Sequence, residues 1–416
     1  MTPQEHLAEL NKPETLQELY ALVQPHLREG EKALVYPLPF AIAIGHLAPE
    51  PHYLASLYDE VYDKLVLLTP PRALPRINKP LFDILSNRFA MVETQNVTLL
   101  TARDLDLGMT SVGPFDFCLE HTNRFYRAFT LHCAAGKRQV HLGLDPGARE
   151  RGESWLKNEA GIDPGTPFVV MHVREPNYSN DSGSASFGRT RVVDPESFRP
   201  AVDWLLEAGY AVFRIGRPGS PPFRHVSSRV LDLANEDRGS DFLDVYLSAA
   251  CAFSLNCMSG PEALARAFGR PSVNTNLLHN IYAHHLPEDL FLFKKFHIRD
   301  STEPLSYEEQ LELKMPSRMV LGPLPDSRWY EAEQIRAEAC TPEDILGAVR
   351  EMHDRLSGAR QANPANERFL ELSRSYENSI SRDEQARSLG MDIYSYAHGM
   401  GELSSAWANL NPWFLG

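Results

Sequence analysis

Residues 168–216 read FVVMHVREPNYSNDSGSASFGRTRVVDPESFRPAVDWLLEAGYAVFRIG. The stretch starts on an unbroken apolar run, Phe168–Val173, the pattern of a strand buried on both faces. It ends on a second strand-like run, AVFRIG. Between them VDPESFRPAVDWLLEAGY has helical spacing, with Asp194 as N-cap, Pro195 in the first turn and Gly209 just past the end. Pro200, inside that segment, is expected to remove one backbone hydrogen bond and kink the helix. Strand, helix, strand implies a parallel sheet with helices on its faces. The cations of the stretch sit where such a sheet ends. Arg174 follows the first strand at once, and Arg189 and Arg191 come after a polar loop of small residues.

The alternation continues on both sides. Downstream, SDFLDVYLSAA (240–250) is a helix capped by Ser240 or Asp241, and CAFSLNC (251–257) is a strand. SGPEALARAFGRP (259–271) is a short helix with Ser259 at its cap and Gly269 at its end, and SVNTN (272–276) is a strand. Beyond Leu277 the periodicity loosens into irregular structure with one short helix. PEDILGAVREMHDRL (342–356) and ERFLELSRSYENS (367–379) are terminal helices. Upstream, ALVYPL (33–38), KLVLLTP (64–70) and FAMVET (89–94) read as strands between helical segments, and HTNRFYRAFTLHCAA (121–135) as a longer helix. The chain is therefore read as two α/β halves, divided at the turn Gly161–Pro167. This gives domains over 1–160 and 161–345, with helices over 346–416 packing back on the first domain.

Composition bounds what the halves can do. The 416 residues suffice for two or three domains, and 43% hydrophobic with 23% charged residues is an ordinary globular balance. A net charge of −14 argues against a non-specific nucleic-acid partner, so any anionic ligand must be held by a local cluster. Five spaced cysteines without a CxxC pair suggest reduced thiols and a cytoplasmic setting. No signal core is visible, and FAIAIGHLA (40–48) is too short to span a bilayer.

Ligands of open parallel sheets sit beyond the carboxyl ends of the strands. Three such ends carry candidates: Arg174; then Gly216 and Arg217, with Arg214 inside the strand; then Ser259 and Gly260. A Ser-Gly pair opening a helix offers a hydroxyl, free N–H groups and the positive end of the dipole. An arginine fork from a neighbouring strand completes a phosphate site, if the strands are adjacent. Taken singly, Arg174 reads as a salt-bridged strand end, Ser259 as a cap, and Arg214 as a partner of Asp203 or Glu207. Asp104-Leu105-Asp106 matches a metal-binding D-x-D, but three letters recur by chance. His284-His285 with Glu288 reads more readily as a set of loop residues on the surface than as a metal site. Nucleophile-elbow, Walker A and G-x-G-x-x-G patterns are absent. No metal and no cofactor is expected.

FVVMHVREPNY, the SFGRTR loop, AVFRIG and the run from Ser240 to Asn276 together resemble a family of bacterial glycosyltransferases. More distantly they are similar to GT-B fucosyltransferases with an H-x-R-R-x-D motif. IGHLAPEPHYLASL and LSYEEQLEL extend the bacterial resemblance over nearly the whole chain. It implies two facing Rossmann-like domains, the second holding a nucleotide-sugar in the cleft between them. HVR matches His172, Val173 and Arg174, so Arg174 would contact the donor diphosphate. Glu175 stands in place of the second arginine and Asn177 near the aspartate, which argues against GDP-fucose. The resemblance carries over Asp241, Ser259 and Gly260 as further donor-site residues beside His172 and Arg174, and Arg189 matches an arginine of the bacterial family; Arg214, Gly216 and Asn276 complete the donor candidates.

His46 follows the first strand at a glycine-containing turn. Its imidazole could deprotonate an acceptor hydroxyl or meet the donor phosphate, or could simply be a hydrogen-bonded turn residue. Glu50 and Glu175 compete as bases. The expected function is metal-independent transfer of a sugar from a nucleotide-diphosphate sugar to a hydroxyl or similar acceptor on a glycan, lipid-linked, small-molecule or protein substrate. The alternatives are a non-catalytic nucleotide- or glycan-binding protein, and a transferase of another nucleotide-linked group.

Overall fold

The computed structural model describes residues 2–174, 190–217, 219–317, 327–380 and 393–416. The chain forms two compact units, Met1–Asp145 and Pro146–Gly416.

The first unit is built on five strands: β1 (Ala33–Pro37), β2 (Lys64–Thr69), β3 (Ala90–Glu93), β4 (Gly108–Val112) and β5 (Phe115–Leu119). Their order is β3-β2-β1-β5-β4. All pairings are parallel except the β4–β5 hairpin at the edge. The three apolar runs read in the sequence are β1 to β3. The hairpin is not legible in the sequence because β4, GMTSV, has only Met109 and Val112 as apolar side chains and lies largely exposed at the edge. Val35, Val66, Leu68, Val92 and Phe117 form the core with Leu19 and Val23 of the helix Pro13–Val23.

The second unit carries a seven-stranded sheet, wholly parallel. Its strands are β6 (Phe168–His172), β7 (Ala211–Arg214), β8 (Val230–Asp232), β9 (Phe253–Cys257), β10 (Ser272–Leu277) and β11 (Leu290–Phe293). A separate antiparallel pair of β12 (Lys295–Ile298) with β13 (Ile335–Glu338) stands apart, and β14 (Glu402–Leu403) closes one edge. The order β14-β11-β10-β9-β6-β7-β8 is doubly wound. The chain runs outward from β6 one way through β7 and β8, then returns to the other side of β6 as β9. That reversal is the switch point at which such sheets bind ligands.

Three expectations are corrected here. The helix before β6 begins at Pro146 and runs to Asn158, so the second unit starts ahead of the Gly161–Pro167 turn. The helix belongs there because Trp155 and Leu156 are buried, Trp155 beside Phe213 of β7, and Gly152 lies where any Cβ would strike the Tyr246 ring. The terminal helices Pro342–Leu356 and Pro364–Ile380 also join the second unit. Ile345, Ala348, Val349 and Met352 of the former are buried, and its His353 meets Tyr210. Finally, Pro200 does not kink a helix. Residues 195–198 form a separate 3-10 turn capped by Asp194, and Pro200 lies in the first turn of the helix Arg199–Glu207, where a missing N–H costs nothing. Among the described residues, no helix is long and apolar enough to cross a membrane.

Candidate functional site

At the switch point β6 and β9 are direct neighbours, with His172 opposite Asn256. The adjacency on which the phosphate reading depended is therefore present. Arg174 and Ser259 each lie two residues beyond their strands, and the Arg174 Nη1 approaches the Ser259 Oγ at 3.5 Å. The Arg174 backbone N–H donates to the Cys257 Sγ at 2.8 Å, which ties the two strand ends together.

His172 sets the polarity of the hydroxyl. Its Nδ1–H donates to the Ile215 carbonyl at 3.2 Å, so its Nε2 is the acceptor for the Ser259 hydroxyl at 2.9 Å. Burial, aided by the nearby Arg174 and Arg214 charges, pushes the imidazole down to about 4. The ring is neutral at pH 7, and Ser259 turns its oxygen lone pairs towards the arginine.

The helix that follows is shorter than its sequence suggests. It spans Glu262–Ala267, and its N-cap is Pro261. The amides of Glu262, Ala263 and Leu264 already donate to the carbonyls of Ser259, Gly260 and Pro261. Ser259 is thus no cap, and these amides are not open to an anion. The Pro261 ring favours this tight turn by presetting φ.

The other donor candidates are placed as follows. Arg214 is fully buried; its Nη1 donates to Asp232 Oδ2 at 3.0 Å and to the Pro221 carbonyl at 2.7 Å. It holds β7 to β8 and is engaged internally, neither with the surface carboxylates Asp203 and Glu207 nor at the strand end. Asn276 is also buried, at φ 56°, with its Oδ1 accepting from the Cys340 N–H at 2.8 Å; it latches the turn before the helix Pro342–Leu356. Asp241 opens the helix Asp241–Ala250, where its charge complements the dipole, and Ser240 is the cap. Gly216 follows Ile215, whose carbonyl holds His172. Glu175 and Arg189 lie outside the described residues.

The first unit assembles a different constellation beyond β1. His46 and Glu50 are four residues apart across two short helices, Ile44–Leu47 and Pro49–Tyr58, and meet with Nδ1 2.6 Å from Oε1. Glu50 is 1% exposed and also accepts from the Tyr36 hydroxyl (2.5 Å), the Arg103 Nη1 (2.7 Å) and the Tyr126 hydroxyl (3.2 Å). Burial opposes its charge, but the Arg103 guanidinium and His46 hold the carboxyl down at about 2. The carboxylate is thus ionised at neutral pH and enclosed by these donors. It fixes the His46 Nδ1–H, which leaves Nε2 as the basic nitrogen. The His46 side chain is 34% exposed, and Nε2 makes no hydrogen bond among the described residues. Beside it lies Phe40, half-exposed, with ring centroids 5.1 Å apart.

Arg103, Tyr36 and Tyr126 were missed in the sequence. Arg103 hides inside ARDLD, where only the aspartates attracted attention, and nothing in its spacing reveals that it lies 4.1 Å over the Tyr36 ring. Of those aspartates, Asp106 accepts from Arg124 Nε at 2.7 Å and from the His121 N–H at 3.1 Å. His284 and His285 are buried rather than on the surface, His284 against the Phe291 ring, while Glu288 is exposed. Among the described residues, no group of three metal-ligating side chains gathers.

No family model matches the chain, and no curated protein matches it. Solved structures give remote likenesses. The ADP-heptose LPS heptosyltransferase II of E. coli is 14% identical, over 58% of this chain and 84% of that one, with a TM-score of 0.37. The glycosyl transferase family 9 protein of Veillonella parvula is 12% identical, over 61% and 82%, at 0.38. The iron-containing heptosyltransferase TibC, in complex with ADP-D-beta-D-heptose, is 14% identical, over 62% and 60%, at 0.33. At such distances the chemistry of this chain has to be read from its own residues.

Proposed function

We propose that the protein is a glycosyltransferase whose second unit holds the diphosphate of a nucleotide-sugar. One observation carries this reading: Arg174 and Ser259 meet beyond adjacent strands at the switch point, with the hydroxyl oriented by a neutral His172. The guanidinium suits phosphate oxygens, and the Ser259 oxygen, its proton given to His172, accepts from that guanidinium and orients it. His46 is the base. As the acceptor oxygen attacks the anomeric carbon, its proton passes to Nε2 and the sugar–phosphate bond breaks. The electron pair leaves with the diphosphate, whose charge Arg174 stabilises.

Arg174→Ala is expected to weaken nucleoside-diphosphate binding by about 1.5–3 kcal/mol, the range for a hydrogen bond to a charged group. Ser259→Ala should cost less, because Arg174 remains. Calorimetry with ADP, GDP, UDP, dTDP and CMP as titrants checks both, and unchanged affinity in Arg174→Ala removes the assignment. Turnover of a nucleotide-sugar separates a transferase from a protein that only binds one.

Turnover is also expected to survive EDTA, because the leaving charge meets fixed cations and Asp106 is engaged by Arg124. Loss of activity with chelator, restored by manganese, magnesium or iron, would transfer that role to a metal.

A further inference from the structure

Among the described residues, the buried Lys294 meets no carboxylate. It follows β11 directly, at the same carboxyl end of the sheet as Arg174 and Ser259, and its backbone N–H donates to the Leu277 carbonyl at 3.0 Å. Its side chain is 4% exposed. The only hydrogen bond of its ammonium group among the described residues is to the Val192 carbonyl, at 3.3 Å. An ammonium group has three protons to donate, and a buried one without an anion is costly.

The groups facing it are known. Burial lowers its pKa, and the neighbours acting against that are the Cys257 and Cys340 thiols, not carboxylates. Those thiols are themselves pushed up by burial, to about 11 and about 12, so neither is an anion at neutral pH. Glu262 interacts with Arg266, Asp289 and Arg191. The Cys257 thiol in turn lies in the field of three cations, Lys294, Arg174 and Arg191. Cations from three separate segments thus converge on the end of β9, where the thiol accepts the Arg174 N–H.

We propose that Lys294 is a further ligand of the donor diphosphate, taking oxygens of the phosphate group opposite to those held by Arg174. The assignment rests on the reading of the switch point as a diphosphate site. A diphosphate carries charge on both phosphates, which matches two or three cations better than one. Filled, the site gives the ammonium the acceptors it lacks. Empty, it leaves a buried cation that destabilises the protein, the usual cost of a site shaped for a ligand.

This predicts two effects of opposite sign from one substitution. Lys294→Met keeps most of the unbranched side chain and removes the charge. Without ligand, the full-length variant should melt no lower than the wild type. Its affinity for whichever of ADP, GDP, UDP or dTDP the wild type binds should fall by at least about tenfold. Lys294→Arg should retain most of that affinity. Thermal melts and calorimetry on the three proteins read both. If the wild type binds a diphosphate and Lys294→Met binds it equally, the assignment is overturned while Arg174 and the donor reading stand. If Lys294→Met melts well below the wild type or fails to fold, Lys294 is structural and the assignment again falls. If the wild type binds none of the four, the donor reading itself fails and takes this one with it.

Discussion

His46→Ala lowers turnover by about 10²–10⁴-fold, the contribution of a positioned general base, and leaves nucleoside-diphosphate affinity at the wild-type value. The expectation follows from the Nδ1 contact. Glu50 holds that nitrogen at 2.6 Å, so the lone pair that can take a proton is on Nε2, on a side chain that solvent reaches. Glu50→Gln should lower kcat with little change in KM, because the ring loses the charge that stabilises its protonated form while the donor residues stay intact. Initial rates and calorimetry on the same preparations separate the roles. Full activity in His46→Ala would make it a hydrogen-bonded turn residue. A parallel loss of diphosphate affinity would move it onto the donor.

Glu50→Ala destabilises the first unit by about 3–5 kcal/mol, because it strands a buried guanidinium. Arg103 is 2% exposed and donates to Glu50 at 2.7 Å, with further contacts to the carbonyls of Glu120 and Pro37. Those carbonyls remain in the variant but carry no formal charge. Adding Arg103→Met should recover much of the loss, since it removes the unpaired cation. Denaturant melts of the single and double variants decide this, and equal destabilisation of both would refute the charge argument. The same carboxylate sets an acid limb. Its folded pKa, about 2, lies below the ordinary value of 4.5, so its stabilisation is complete above 4.5 and is lost as pH falls towards 2. In the Glu50→Ala variant that limb should be shallower.

Much of the candidate donor site was legible because it depends on local order along the chain. Apolar runs followed at once by Arg174 or by Met258-Ser259-Gly260 place those residues at strand ends whatever else the fold does. The alternation of strands and helices gave β1 to β3, β6, β7, β9 and β10. It failed at β4, which is largely exposed and on an edge. It also failed at β11 and β12, where LFLFKKFHI breaks into two short strands belonging to different sheets. A run of four apolar residues carries no period by which to recognise it.

The partners of each side chain were settled elsewhere. Which strand lies beside β6 is a matter of sheet order, and only that order puts Ser259 against Arg174 and His172. Arg214 resembles Arg174 in sequence, yet its side chain turns to Asp232, because β8 pairs with β7 and supplies a buried carboxylate. Glu50 has the residue type of a base but, enclosed by Tyr36, Arg103 and Tyr126, remains an anion that orients His46. Lys294 lies 120 residues from Arg174 in the chain and shares its surroundings only because β11, β10, β9 and β6 stand in that order. The sequence by itself determined the parallel α/β layers and which residues stand at the strand ends, since both follow from short-range periodicity. The tertiary structure alone decided which partners those residues meet, because charge, burial and hydrogen bonding depend on neighbours distant in the chain.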